Sequence, residues 1–235
     1  TTHRYLKKQI NSNSNLDYLE YIEEAGKFAC DELDTINQVG DQEGIKLENG
    51  VVRMPESFIK AYKKFVDTGW FSIIGEKKYG GQDLPLSAIV MINEIWHSTN
   101  MSFATNNMLT QGAVELLESH GNEKQKEYYL PKLISGKWSG TMNLTEPHAG
   151  SDLSSIKTKA IEKDKKFLIR GTKIYITHGD QDMSDNIIHL VLAKLSNAPN
   201  GVKGISLFLV PKYYLNDKGT KVKNDIKVVS VEHKL

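Results

Sequence analysis

"TMNLTEPHAGSD" (141–152) sets two carboxylates, three hydroxyls, a proline, a glycine and a histidine in one stretch with no apolar face. On its N-terminal side apolar residues recur at three- and four-residue steps. On its C-terminal side they alternate. A polar loop at a change of period is where two structural classes meet, and it decides the fold: helices before it, sheet after it.

Towards the N-terminus, "EKQKEYYL" starts on a capping-box-like pair, Asn122 and Gln125, and Pro131 should end or kink that helix. "MLTQGAVELLES" runs a stripe through Leu109, Ala113, Leu116 and Leu117, and "LSAIVMINEIW" continues the pattern. "KKYGGQDLP" is a turn-rich connector. Pro55 opens a helix that carries Phe58, Tyr62, Phe65 and Val66 on one side, and Gly69 suits its stop. Tyr18, Ile22, Ala25, Ala29, Leu33 and Ile36 form one further buried stripe. "NSNSN" at 11–15 reads as a local loop.

Towards the C-terminus, "SIKTKAI", "KFLIR", "KIYIT", "IIHLVLAKL", "GISLFLV" and "IKVVSVE" are short, rich in β-branched residues and separated by turn signals. Their spacing predicts an antiparallel barrel or sandwich rather than βαβ units. The expected fold class is α+β multidomain: an all-α domain over 1–137, then a small antiparallel β-barrel domain over 138–235.

Thirty Lys and Arg against 29 acids give no electrostatic reason to expect nucleic acid or an anionic membrane as partner. With 39% hydrophobic and 25% charged residues the chain is not a disordered one. Cys30 is the single cysteine, so no internal disulfide can form, and a reducing, cytoplasmic setting is expected. No apolar run reaches the roughly 18 residues of a membrane helix. The start, "TTHRYLKKQI", lacks a signal-peptide apolar region; because it opens on Thr, a processed or trimmed N-terminus is expected.

Taken alone, the polar loop is most often a connector. Ser151, Asp152 and His148 lie close in sequence, yet "AGSDL" lacks the G-x-S-x-G elbow that exposes a nucleophilic hydroxyl. The seven histidines are scattered without a metal-ligand spacing, and neither a G-x-G-x-x-G after a strand nor a P-loop is present. What remains is the loop's own chemistry. Thr145 can present backbone groups and a hydroxyl at fixed angles, and Gly150-Ser151 can let N–H groups approach a phosphate. A cofactor with a hydrogen-bonding ring and a pyrophosphate further along, such as flavin adenine dinucleotide, has the matching shape.

"LTEPHAGSDLSS", followed at a distance by "IRGTKIYITHG", resembles the acyl-CoA dehydrogenase family, whose middle β domain carries T-E-P-x-A-G-S-D and then G-x-K-x-[aromatic]-I-T. "YGGQDLP", "HGNEKQKEYYLPKLISGKW", "GISLFLVP" and "VEHKL" resemble family segments in the same order. The resemblance runs from about Pro55 to the last residue, with residues 1–50 as a helical lead-in. Asn143 stands where the family usually has a small residue beside the flavin, and Tyr175 where tryptophan is frequent. "HGDQDMSDN" and "LSNAPNGVKG" resemble the larger bacterial branch, which includes fatty-acyl and methylthio-propanoyl-CoA dehydrogenases.

The resemblance implies an oxidoreductase of fatty acid metabolism: FAD as cofactor, an acyl-CoA thioester as substrate, and an acceptor such as an electron-transfer flavoprotein. Met142, Asn143, Leu144 and Thr145 would line the flavin, with backbone groups of Leu144 and Thr145 pairing the pyrimidine edge. Ser151 would touch the pyrophosphate and lie close to the CoA part of the substrate. Tyr175, Ile176 and Thr177 would run along the isoalloxazine, the Thr177 hydroxyl donating toward N5. N5 receives the hydride, so a preplaced donor favours the reduced form. Without the resemblance "KIYIT" is a plain amphipathic strand. Phe103, Asn107 and Met108 fall in the acyl-pocket segment, although Met or Phe at helical spacing is also ordinary core.

The family takes the α proton with a carboxylate from a C-terminal four-helix domain. The chain reaches Leu235 where the β domain should finish, so that domain is expected to be absent. No catalytic base is then assigned, Glu146 is left to the motif's scaffold, and the chain as given is expected to be inactive. A full-length form would be a homo-oligomer. The alternatives are an acyl-CoA oxidase, a nitroalkane-oxidising or DNA-associated relative, and a non-catalytic remnant that binds a CoA thioester or another subunit.

Overall fold

The structure, a computed structural model, describes residues 18–164, 166–216 and 218–232; the expected "NSNSN" loop lies outside them. α1 (Tyr18–Phe28) passes through a π-helical segment, Ala29–Asp34, into α2 (Thr35–Glu43). Ala25, Ala29 and Leu33 are buried at four-residue steps along this one path. Next comes a hairpin absent from the sequence expectation, β1 (Lys46–Glu48) and β2 (Val51–Arg53). Asn49 and Gly50 both sit at positive φ, +52° and +73°, the two-residue turn whose twist suits paired strands.

α3 (Glu56–Asp67), α4 (Leu86–Thr99), α5 (Met101–His120) and α6 (Glu123–Ile134) complete the helical half. Asn100 separates α4 from α5 by capping the latter: its Oδ1 accepts from Phe103 N at 3.1 Å, and its Nδ2 donates to Leu33 O. The Asn122–Gln125 capping box forms with both bonds at 2.9 Å. Pro131 does not end α6, which runs on to Ile134. The lost N–H bond and the ring's crowding of Glu127 O fall in the last turn, which Ser135 N and Gly136 N close by donating to Pro131 O and Leu133 O.

The helices close on an aromatic core. Phe65 meets Phe28, Phe71, Trp96 and Phe103 edge-on, with centroids 5.1–5.6 Å apart. Edge-on pairs of this kind place the positive rim of one ring on the negative face of the next.

The sheet differs from the antiparallel barrel expected. β3 (Trp138–Asn143), β4 (Lys159–Lys163), β5 (Lys166–Arg170), β6 (Asn186–Leu195) and β7 (Ile205–Pro211) form one mixed sheet around β6, open among the described residues. β3 and β4 pair with β6 in parallel along one edge; β7 pairs antiparallel on the other, and β5 antiparallel to β4. The reason is legible in β6: Asn186 to Val191 are all buried, so the strand is covered on both faces, as parallel strands usually are. A separate hairpin joins β8 (Tyr213–Leu215) to β9 (Lys221–Lys223). "KIYIT" and "IKVVSVE" are not strands.

The two halves share a second core. Ala113, Val114, Leu117, Leu130, Leu133 and Ile134 pack with Ile188 and Leu190 of β6, and Met142 lies at the margin. Gly140 N donates to Thr110 Oγ1 at 3.1 Å, pinning β3 to α5. No helix among the described residues is long and apolar enough to cross a membrane.

Candidate functional site

The loop after β3 is organised by one carboxylate. Glu146, its side chain 2% exposed, accepts from Lys157 N (2.6 Å), Thr158 N (3.1 Å), Thr158 Oγ1 (2.5 Å) and Lys173 Nζ (2.8 Å). Burial alone would raise its pKa; the hydrogen bonds from Lys157, Lys173 and Thr158 outweigh burial and hold it down at about 2. Glu146 and Ala149 also exchange backbone bonds, which closes the tip of the loop. Gly171 lies so near that an added Cβ would meet Thr158 Oγ1 at 2.1 Å, so only glycine lets that chain pass. Asp152 then caps a short 3-10 turn, accepting from Ser154 N and Ser155 Oγ.

Lys173 does a second thing: its Nζ donates to Leu144 O at 2.9 Å, while Ile174 N donates to Thr145 O at 3.0 Å. Residues 142–145 and 173–177 are thereby laid side by side. Of the expected flavin-side residues, Met142, Asn143, Leu144, Thr145 and Ile176 are half-buried, and Ser151, Tyr175 and Thr177 are exposed. The structure brings these two strips together, although the second is irregular rather than a strand. Tyr175 holds φ +55° and is 69% exposed. A bulky residue in the left-handed region, presenting its ring to solvent, is strain that packing does not explain, and such strain clusters at functional sites. The strip is anchored to the helical half through His178, whose Nε2 lies 2.9 Å from Ser102 O.

The acyl-side residues part company. Phe103 is 2% exposed in the aromatic core, facing Phe58 and Phe65, so it lines no open surface. Met108 is exposed. Asn107 is buried, and neither polar atom of its amide has a hydrogen-bond partner; Asn106 beside it shares that property.

Sequence reasoning did not find a buried polar cluster behind β3. Lys212 Nζ lies 2.5 Å from Asp180 Oδ1, both side chains under 10% exposed, and Asp180 Oδ2 accepts from Val52 N at 3.0 Å. Asp182 accepts from Met54 N and Arg53 Nη1, so the loop after residue 177 clasps the β1–β2 hairpin. His189, buried nearby on β6, is pushed down to a pKa of about 4 by burial, with Asp180 opposing and Lys212 assisting. Nothing in a lone Asp or Lys of these loops distinguishes it in sequence.

A helical layer docked on a mixed sheet, with a carboxylate-centred loop and two backbone strips laid side by side after β3, defines the class as an α+β protein. Comparison places it further. Residues 17–137 match the acyl-CoA dehydrogenase N-terminal domain and residues 141–233 the middle domain, so the chain belongs to the acyl-CoA dehydrogenase family. The N-terminal match begins at residue 17, which makes the segment before Pro55 part of the family domain rather than a lead-in.

The chain is 47% identical over 216 residues to 3-methylmercaptopropionyl-CoA dehydrogenase of Ruegeria pomeroyi, covering 91% of this chain and 37% of that protein. It is 37% identical over 215 residues to a butyryl-CoA dehydrogenase of Syntrophomonas wolfei, covering 89% and 35%. The crystal structure of acyl-CoA dehydrogenase from Geobacillus kaustophilus superposes with a TM-score of 0.68 at 26% identity, over 85% of this chain and 49% of that one. The FAD complex of PigA superposes with a TM-score of 0.67 at 26% identity, over 85% and 49%. The chain thus spans little more than a third of the length of the two enzymes it matches in sequence.

Proposed function

We propose that this chain forms the N-terminal and middle domains of an FAD-dependent acyl-CoA dehydrogenase that acts on a short acyl-CoA thioester and passes electrons to an electron-transfer flavoprotein. The observation that carries the reading is the pair of strips, 142–145 and 173–177, tied by Lys173 and Ile174. The residues fit FAD, because the hydroxyls of Thr145, Ser151 and Thr177 make no hydrogen bond among the described residues and are left for a ligand. FAD, when bound, supplies a hydride acceptor for the substrate's β carbon. The substrate class follows the sequence relatives, both named for short acyl-CoAs.

The carbonyls of Leu144 and Thr145 are engaged by Lys173 and Ile174, so the donors for the pyrimidine edge are their N–H groups. Ser151 would hold the pyrophosphate, Tyr175 and Ile176 would flank the ring, and the Thr177 hydroxyl would be the donor toward N5. Asn107 and Met108 remain the acyl-side residues; Phe103 belongs to the core. The direct test is a visible spectrum of the intact protein before and after short acyl-CoAs are added. A flavin band that bleaches supports the reading, and a protein without a flavin band overturns it.

The two hydroxyls should separate by role. Thr177→Val is expected to slow flavin bleaching with FAD content retained. Ser151→Ala is expected to weaken FAD binding by about 1 kcal/mol, the worth of one hydrogen bond. Equal FAD affinity and unchanged bleaching in both variants would remove these assignments.

Glu146 is not the base. Four donors surround its carboxylate and hold it at about 2, far below a group that must collect a proton near neutral pH. The reading therefore takes the base from outside these residues. A polypeptide of these 235 residues alone, saturated with FAD and freed of excess, is expected to lose the flavin bands and to dehydrogenate no acyl-CoA. Stoichiometric retention with turnover would place the whole site within it.

A further inference from the structure

One hydrogen-bond chain behind β3 serves neither the loop nor the hairpin clasp. Thr141 and Asn143 are two apart on the strand and share a face. Thr141 stands opposite His189 in the parallel register of β3 and β6. The Thr141 hydroxyl donates to Asn143 Oδ1 at 2.8 Å and lies 2.8 Å from His189 Nδ1. A hydroxyl has one proton to give. Since it goes to Asn143, His189 must carry its own proton on Nδ1 and donate it to Thr141 Oγ1. Its ring lines a cavity of about 10 Å³ that Asp180 and Lys212 also line. Burial keeps the ring neutral, so the single ring proton sits on Nδ1.

The chain ends where the site begins. Asn143 is the last residue of β3, half-buried, and the next two residues carry the N–H groups assigned to the cofactor. Beyond Asn143 the pairing of β3 with β6 stops, so the ladder no longer fixes the backbone. Lys173 and Ile174 hold Leu144 and Thr145 from one side through their carbonyls. The Asn143 side chain, at the strand's last residue, is held from behind through Thr141.

We propose that His189, Thr141 and Asn143 form a positioning relay that fixes the end of β3, so that the N–H groups of Leu144 and Thr145 keep one orientation toward the flavin's pyrimidine edge. The inference rests on the flavin reading above. None of the three is assigned to the reacting atoms; His189 and Thr141 act through Asn143 and the backbone that follows.

The test uses the intact protein, purified with its flavin. Thr141→Val removes the middle hydroxyl at nearly constant volume, and Asn143→Ala removes the end of the relay at a half-buried position that tolerates truncation. Each is expected to keep one flavin per chain, shift its absorption bands and lower its midpoint potential. The double variant is expected to shift no further than either single one, because the residues act as one unit. Thr141→Ser should restore the wild-type spectrum, and nitrogen NMR of His189 should find the proton on Nδ1. Singles with wild-type spectrum and potential, additive shifts, or a proton on Nε2 each overturn the relay. A wild type that binds no flavin overturns the flavin reading instead, and is told apart because the Nδ1 proton is read without the cofactor.

Discussion

Glu146→Gln will cost the folded protein about 3 kcal/mol at neutral pH and strip most of its flavin. The figure follows from a carboxyl held at about 2 against an ordinary 4.5, in a side chain 2% exposed. Glutamine keeps one acceptor oxygen but brings an N–H2 group into a ring of donors: Lys157 N, Thr158 N and Oγ1, and Lys173 Nζ. It also leaves Lys173, 8% exposed, without its counter-charge. Flavin is lost because the same lysine joins the two strips through Leu144 O.

The pH dependence has a fixed sign. A depressed carboxyl contributes its full stability above the unfolded value of 4.5, and that contribution falls away as pH drops toward about 2. Urea unfolding of wild type and Glu146→Gln should therefore differ by about 3 kcal/mol at pH 7, keep less than half of that gap at pH 3, and converge only below about pH 2. A gap as large at pH 3 as at pH 7 would mean the variant fails for steric reasons, and the account of the carboxylate would fall with it.

How much of this was readable before the structure depends on how far apart the partners lie. The helix caps at Asn122 and Gln125 are three residues apart, and local spacing shows them directly. The Asn49-Gly50 hairpin is also a local signal, but strands of only three residues beside a long helical pattern hide it. β3 pairs β6 with Thr141 opposite His189, 48 residues on, and alternation within either strand says nothing about the direction of its partner. Lys173 looks like any solvent-facing residue of an alternating run; only the fold carries it 27 residues back to Glu146. Tyr175 reads as a strand former, and its residue type gives no sign of the left-handed backbone it adopts. For Phe103 the helical spacing fits core and ligand surface equally well, and the aromatic neighbours settle it as core. The motif carries the expectation of a flavin site, while the loop's structural supports come from residues whose partners are distant.

Lys212→Met should destabilise the protein by about 3–5 kcal/mol, and adding Asp180→Asn should recover most of that loss. Lys212 and Asp180 are 2.5 Å apart, with side chains 9% and 7% exposed, so removing one charge strands the other away from water. The paired change leaves no charge to strand, and asparagine still offers an oxygen to Val52 N, which keeps the hairpin clasped. A double variant more stable than Lys212→Met is the opposite of what two independent losses would give. His189 supplies a second check. Its depressed pKa means that wild type is at full strength above 6.5 and weakens as pH falls toward about 4, where the folded ring at last takes a proton. Removing Lys212 takes away a positive neighbour and leaves Asp180 as its counter-charge, so in Lys212→Met the ring accepts that proton more readily. The variant then loses less on acidification than wild type does. The stability gap between them should narrow from pH 7.5 to pH 5 in urea titrations. A gap that stays constant or widens would show that His189 does not sense the pair, and the buried cluster would be reduced to a simple ion pair.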